Sequence, residues 1–372
     1  MNVRFVSVFF SILLAIALTS CSARDGHSAL PSVEGPVAQS AGLTMSPDVT
    51  HVFTEYKPPA HGVTGGIALG YDNAVWFTQN SSYVGRFLNG AFSSVPVNIS
   101  EFNFMQQPAF PFITATTQGV YTGVEMDEEQ GFAVEERIVQ ITYARHVSAT
   151  NGEVGSFVNG FMGGIASGGT AVYATGSYND GSNCTSCLYL MSASGQSKQR
   201  TKSYETGDAV AYLNGTVWLA AAESSSNGVQ TAVQFDKVNP STFAFSYVAS
   251  VPSPSKVLGM TAGPDNAIWF TDAGRNAIGR VDALGHKREF TLPTANAQPN
   301  GITRGADGAL WFTETHADKI GRITTAGIIS EFHVPTANAS PAGITALPVS
   351  SSGPRALWFA EKASGKIGRF TY

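Results

Sequence analysis

Few residues in this 372-residue chain are equipped for acid–base or metal chemistry: charged side chains make up 13% of it, about half the usual share. The candidates for a reactive centre are Asp208, Glu314 and His316, the last two close together in Glu314-Thr-His316-Ala-Asp318. A carboxylate or an imidazole can act as general acid or base, and carboxylates can help to hold a divalent ion. Taken singly, His316 and His61 read as surface residues. The run Glu125–Glu136 contains Glu125, Asp127, Glu128, Glu129, Glu135 and Glu136. Such a run could attract Ca²⁺, but its spacing matches no calcium loop, and a solvated acidic loop is expected. A net charge of −5 without a lysine or arginine cluster argues against nucleic acid as a partner.

The elements that hold these groups begin with a leader. Met1–Arg4 is followed by Phe5–Leu18, apolar and uncharged, with the length of a signal-peptide core and too short for a mature membrane span. It ends in Leu18-Thr19-Ser20-Cys21, which resembles the lipobox of bacterial lipoproteins, where the signal is cut before the cysteine and the thiol is lipidated. The resemblance implies a signal peptide over residues 1–20, lipid attachment at Cys21 and a cell-envelope location; Ser22 points to the outer membrane. Residues 21–50, rich in Ser, Ala, Gly and Pro without an apolar period, read as a flexible tether. No later stretch is apolar enough for a transmembrane helix. In that oxidising compartment, Cys184 and Cys187 in Asn-Cys-Thr-Ser-Cys are expected to form a loop-stapling disulfide, in preference to a redox pair or half of a zinc site.

Residues 51–372 are organised by a repeat. Gly259-Met-Thr-Ala-Gly-Pro-Asp-Asn-Ala-Ile-Trp269-Phe-Thr-Asp272 and Gly301-Ile-Thr-Arg-Gly-Ala-Asp-Gly-Ala-Leu-Trp311-Phe-Thr-Glu314 align without gaps, and Ile-Gly-Arg follows each. Gly66–Gln79 repeats the pattern, and so, across an insertion, does Gly343–Glu361. The anchor position is filled at 76, 121, 173, 218, 269, 311 and 358, spaced 42 to 52 residues apart. Seven copies of about 45 residues predict an all-β, seven-bladed β-propeller with four antiparallel strands per blade. Asp-Gly and Asp-Asn pairs mark the tight hairpin between the first two strands of a copy. The last copy ends after its third strand, and Phe53-Thr-Glu-Tyr56-Lys-Pro58 resembles the fourth strand Glu289-Phe-Thr-Leu-Pro293. Val52–Lys57 is therefore expected to pair with Lys366–Phe370 and close the ring. The recurring Asp272, Glu314 and Glu361, and the recurring Arg86, Arg280, Arg322 and Arg369, read as structural ion pairs or loop hydrogen bonds.

Pro-x-Gly-Ile-Thr, Asp-Gly-Ala-Leu-Trp-Phe-Thr-Glu, Lys-Ile-Gly-Arg-Ile and Glu-Phe-x-x-Pro-Thr together resemble the virginiamycin B lyase (streptogramin lyase) family. The resemblance is strong over 255–372, visible at 61–97 and faint between. It implies the propeller fold and a magnesium-dependent elimination that opens a cyclic peptide lactone through a histidine base. The family's two histidine positions fall here on Asn300 and Ala342, and its carboxylate positions on Ser340 and Lys362. Asparagine cannot act as the base, and alanine offers no polar group.

Blade geometry places the starts of the first strands around the mouth of a central channel: Gly65, Pro111, Gly163, Asp208, Leu258, Asn300 and Ala342. The expected binding face comprises Asp208, Asn300, Ser340, Ala342 and Glu361. Two functions follow. One is a membrane-tethered, monomeric binding propeller without a cofactor, taking a small-molecule, peptide or protein ligand at the mouth. The other is a lyase of the same kind with a relocated site at Glu314, His316 and Asp208 and a Mg²⁺ ion.

Overall fold

The computed structural model describes residues 51–80, 83–96, 112–127, 134–142, 152–158, 160–168, 171–178, 187–192, 197–200, 205–347 and 355–372. These residues form seven four-stranded antiparallel sheets, and the described fold is all-β. Sheet 1 runs Val63–Leu69, Val75–Gln79, Tyr83–Leu88 and Ala91–Pro96; sheet 2 runs Ile113–Thr116, Gly119–Asp127, Val134–Thr142 and Gly152–Val158. Sheet 3 comprises Gly160–Gly168, Ala171–Tyr178, Cys187–Ser192 and Ser197–Arg200, and sheet 4 Glu205–Leu213, Thr216–Ser224, Gln230–Val238 and Phe245–Pro252. Sheet 5 is Val257–Ala262, Ile268–Asp272, Ala277–Val281 and Lys287–Thr291, and sheet 6 Pro299–Arg304, Leu310–Glu314, Lys319–Ile323 and Ile329–His333. Sheet 7 takes Pro341–Ala346, Ala356–Glu361 and Lys366–Thr371 from the end of the chain and Val52–Tyr56 from its beginning. No helix among the described residues is long and apolar enough to cross a membrane.

Sheets 1 to 6 are meanders of consecutive strands, and in sheets 1, 5 and 6 the first turn shows why. Asn73, Asn266 and Gly308 sit at φ of 59°, 56° and 76°, the left-handed region that the hairpin turn requires. The preceding aspartate locks the hairpin to the rest of its sheet. Asp307 accepts the Trp311 indole N–H at 3.1 Å on one oxygen and Arg322 Nε at 2.7 Å on the other. Asp72 holds Trp76 and Arg86 in the same way, as Asp265 holds Trp269 and Arg280. Arg86, Arg280 and Arg322 thus pair with the turn aspartates and not with the carboxylates ending the second strands.

Packing between sheets uses the other repeated residues. Trp269, Ile278, Ile302, Phe312 and Ile323 share one buried cluster spanning sheets 5 and 6; Trp311, Ile344, Phe359 and Phe370 share another spanning sheets 6 and 7. Val63, Phe77, Phe87, Trp358 and Ile367 join sheet 7 to sheet 1. Alternation along each strand sends one set of side chains to each neighbour. The glycine of Ile-Gly-Arg follows from this packing, since a Cβ on Gly321 would stand 2.1 Å from the Phe312 ring.

The first strands meet in cyclic succession, sheet 1 against 2 and so on to 6 against 7, with 7 against 1. They come so close that a Cβ on Gly301 would lie 2.6 Å from the Ala342 carbonyl oxygen, and one on Gly343 2.4 Å from that of Gly65. The threonine of Trp-Phe-Thr caps these edges. Thr313 Oγ1 accepts from the Gly301 N–H at 3.0 Å and donates to the Ala342 carbonyl of the next sheet at 2.6 Å. Thr271 bridges Gly259 and Asn300 identically.

The N-terminal strand lies along the outer edge of sheet 7, with Phe53 opposite Phe370 and Glu55 opposite Gly368. Its Phe53 ring contacts Phe370 at 4.4 Å, and Glu55 accepts from Lys366 Nζ at 2.7 Å and Thr336 Oγ1 at 2.7 Å.

Candidate functional site

The first strands converge on a cavity of about 470 Å³, within the size range of small-molecule sites. Gly65, Gly163, Asp208, Leu258, Asn300 and Ala342, taken from the starts of six first strands, line it, and Phe112 lines it in sheet 2. Pro111, expected there, lies outside the described residues. The wall is largely glycine and apolar: Ile67, Ile113, Ile165, Met260 and Ile344 contribute with the glycines. Asp208 and Lys362 are its charged residues, while Gln298, Asn300, Thr64 and Thr315 supply polar groups.

The expected reactive group does not assemble. Asp208 lines the cavity, whereas Glu314 is fully buried and His316 is exposed, and neither borders it. Of the expected binding face, Asp208, Asn300 and Ala342 line the cavity, while Ser340 and Glu361 do not. Ser340 is half-buried with its N–H donated to Asp318 at 3.0 Å, and Glu361 is fully buried beneath the outer strands. The reason is strand alternation: Glu314 and Glu361 end their strands pointing into the layer between sheets, away from the ring centre. His61 is stacked on Tyr83 at 4.0 Å and does not border the cavity.

Glu314 and Glu361 belong to two copies of one outer cluster. Glu331 accepts from Lys319 Nζ at 2.7 Å and from the Thr294 hydroxyl at 2.6 Å; Glu55 does the same with Lys366 and Thr336. Although burial works against it, these donors hold both outer carboxylates below their ordinary range. The inner carboxyls move the other way. Burial, then the Glu331 charge, pushes Glu314 up to about 8, with Lys319 opposing. Burial pushes Glu361 up to about 7, with the Ser364 hydroxyl opposing and the Glu55 charge adding. Among the described residues both Glu314 oxygens and Glu361 Oε1 are buried without a hydrogen-bond partner, whereas Gln79 at the corresponding place donates to the Ala60 and His61 carbonyls.

Lys362, Gln298 and Thr315 were not placed at the mouth by sequence. Lys362 and Thr315 each follow a second strand, in the loop that hydrogen-bonds back to the segment before the first strand: Lys362 N–H to the Ser340 carbonyl at 3.2 Å, Thr315 N–H to that of Gln298 at 3.2 Å. Counting one residue past the recurring Asp/Glu would have found both. The acidic run 125–136 falls partly on the hairpin of sheet 2, its tip at 128–133 lying outside the described residues. Cys21, Cys184 and the Cys187 side chain also lie outside them.

The cavity does not fit the magnesium ion that the fold family implies. Asn300, Ser340, Ala342 and Lys362 provide no carboxylate, a lysine cation stands at the rim, and no group of three His, Cys, Asp or Glu able to hold a metal occurs among the described residues.

In fold the described sheets are similar to the β-propellers of virginiamycin B lyases. The family model described as "Virginiamycin B lyase family" matches residues 214–372, from the first hairpin of sheet 4 through sheet 7. A virginiamycin B lyase of Bordetella pertussis (strain Tohama I) is 46% identical over 50 residues, which are 13% of this chain and 17% of that protein. Virginiamycin B lyase from Staphylococcus aureus superposes with a TM-score of 0.61 at 23% identity, covering 87% of this chain and 100% of that one; a catalytically inactive form solved with quinupristin gives 0.60. Kuenenia stuttgartiensis hydrazine synthase reaches 0.60 at 12% identity over 86% of this chain and 98% of that one. At these identities the solved structures establish a common fold, one that carries unrelated chemistry.

Proposed function

We propose that the seven sheets are the blades of one propeller closed by the N-terminal strand, and that its central cavity binds a small, amide-rich ligand without turning it over. The observation that carries this reading is the cavity wall. Seven first strands present a glycine-rich, apolar surface, each lying at the edge of its sheet that faces the cavity. A histidine base or a metal-holding carboxylate set is not among the groups lining it. Lyase action on a cyclic peptide lactone through Glu314, His316 and Asp208 is the lesser reading, because those three groups are separated by burial and by strand face.

Quinupristin, a compound bound by a structural relative, is the first probe. Calorimetry is expected to detect its binding and to lose it by about tenfold or more in Leu258→Trp, which fills the mouth. Binding unchanged by Leu258→Trp would place the ligand elsewhere, and no binding by the unmodified protein counts against the cavity as a site of this chemistry.

We further propose that the propeller is tethered to the cell envelope through a lipid on Cys21 and the linker 21–50, on the strength of Leu18-Thr19-Ser20-Cys21. Palmitate labelling of the expressed protein, absent in Cys21→Ser, tests this; equal labelling of both would refute it.

A further inference from the structure

The cavity is polarised. Sheets 6 and 7, neighbours in the ring of contacts, supply Gln298, Asn300 and Lys362 to the wall, two amide groups and an ammonium. The stem of Lys362 lies across the junction of sheets 7 and 1: a Cβ on Gly65 would meet Lys362 Cδ at 4.0 Å and Ala342 Cβ at 3.6 Å. Lys362 is exposed and makes no ion pair among the described residues. Asp208 belongs to sheet 4, three sheets from sheet 7 in one direction and three from sheet 1 in the other. It therefore stands across the ring from Lys362, with Phe112 and Ile113 on one flank between them and Leu258 and Met260 on the other.

We propose that the cavity selects an amide-rich ligand carrying a carboxylate, and that Lys362 is the specificity-determining residue that receives it. The proposal rests on the cavity being the ligand site. A carboxylate at the Lys362 side meets an ammonium and the Gln298 and Asn300 amides, all donors; turned round, it meets the Asp208 carboxylate. The apolar flanks accept the ligand's hydrophobic side groups, and the strand edges its amides.

The probes are N-acetyl-Ala-Phe-Ala with a free carboxylate and the same peptide as its carboxamide, titrated calorimetrically into the full-length protein at low salt. The acid is expected to bind about tenfold more tightly than the amide, with an advantage that shrinks as salt is raised. Lys362→Gln is expected to abolish that difference by weakening the acid toward the affinity of the amide. Equal binding of acid and amide, or equal weakening of both by Lys362→Gln, overturns the proposal while leaving the cavity as the site. Failure of both peptides overturns it as well, and the quinupristin titration with Leu258→Trp then decides separately whether the cavity binds ligands at all.

Discussion

Among single residues, the buried carboxyls have the clearest consequence. Glu314 is raised to about 8 and Glu361 to about 7, first by burial, so both hold protons in the folded state that the unfolded chain releases near its ordinary carboxylate pKa. The folded protein then binds more protons than the unfolded one between those values, and stability falls as pH rises. The stabilising effect is complete below about 4.5 and is lost by about 8. Thermal melts are expected to drop by several degrees between pH 5 and pH 8.5. Glu314→Gln should flatten the decline and melt higher than the parent at pH 8.5, since glutamine already fills the equivalent place at Gln79. A parent and variant that fall in parallel would contradict this. The recurrence of these acids was plain in the sequence, but their burial was not. Whether a strand-end carboxyl meets solvent or the outer strand of its own sheet depends on the placing of Glu331 and Glu55, which the strand pairing alone decides.

At the scale of elements, the N-terminal strand matters most. Phe53 packs on Phe370, and Glu55 ties Lys366 to Thr336, so one strand joins the end of sheet 7 to the loop leading into it. Phe53→Ala is expected to cost about 2 kcal/mol in denaturant melts, less than for a fully buried phenylalanine because this one is half-buried. An unchanged midpoint would mean that the strand contributes little. The sequence places this pairing between Val52–Lys57 and Lys366–Phe370, and the register sets Val52–Tyr56 against Ile367–Thr371. It was readable because Phe-Thr-Glu-Tyr repeats the outer-strand pattern. The Asp–Trp–Arg lock was only half readable. The turn aspartates and the Gly-Arg arginines stood out separately, and only the hairpin register brings Asp307 to Arg322. The role of Thr271 and Thr313 in bridging to the next sheet was not readable, because their partners lie in another repeat.

For the whole molecule, the ring of first strands makes the cavity, and the cavity's chemistry separates the binding reading from the catalytic one. The sequence marked Asn300 and Ala342 as departures from the family pattern, and both line the wall. Lys362 was legible as a departure but not as a rim cation, a place that the loop after the second strand of sheet 7 gives it. Mass spectrometry of a cyclic streptogramin B incubated with this protein and Mg²⁺ tests the central claim most directly. The account predicts that the ring stays intact at the rate of a protein-free control, for the unmodified chain and for Glu314→Gln alike; accumulation of the linear, ring-opened product above that control would contradict it.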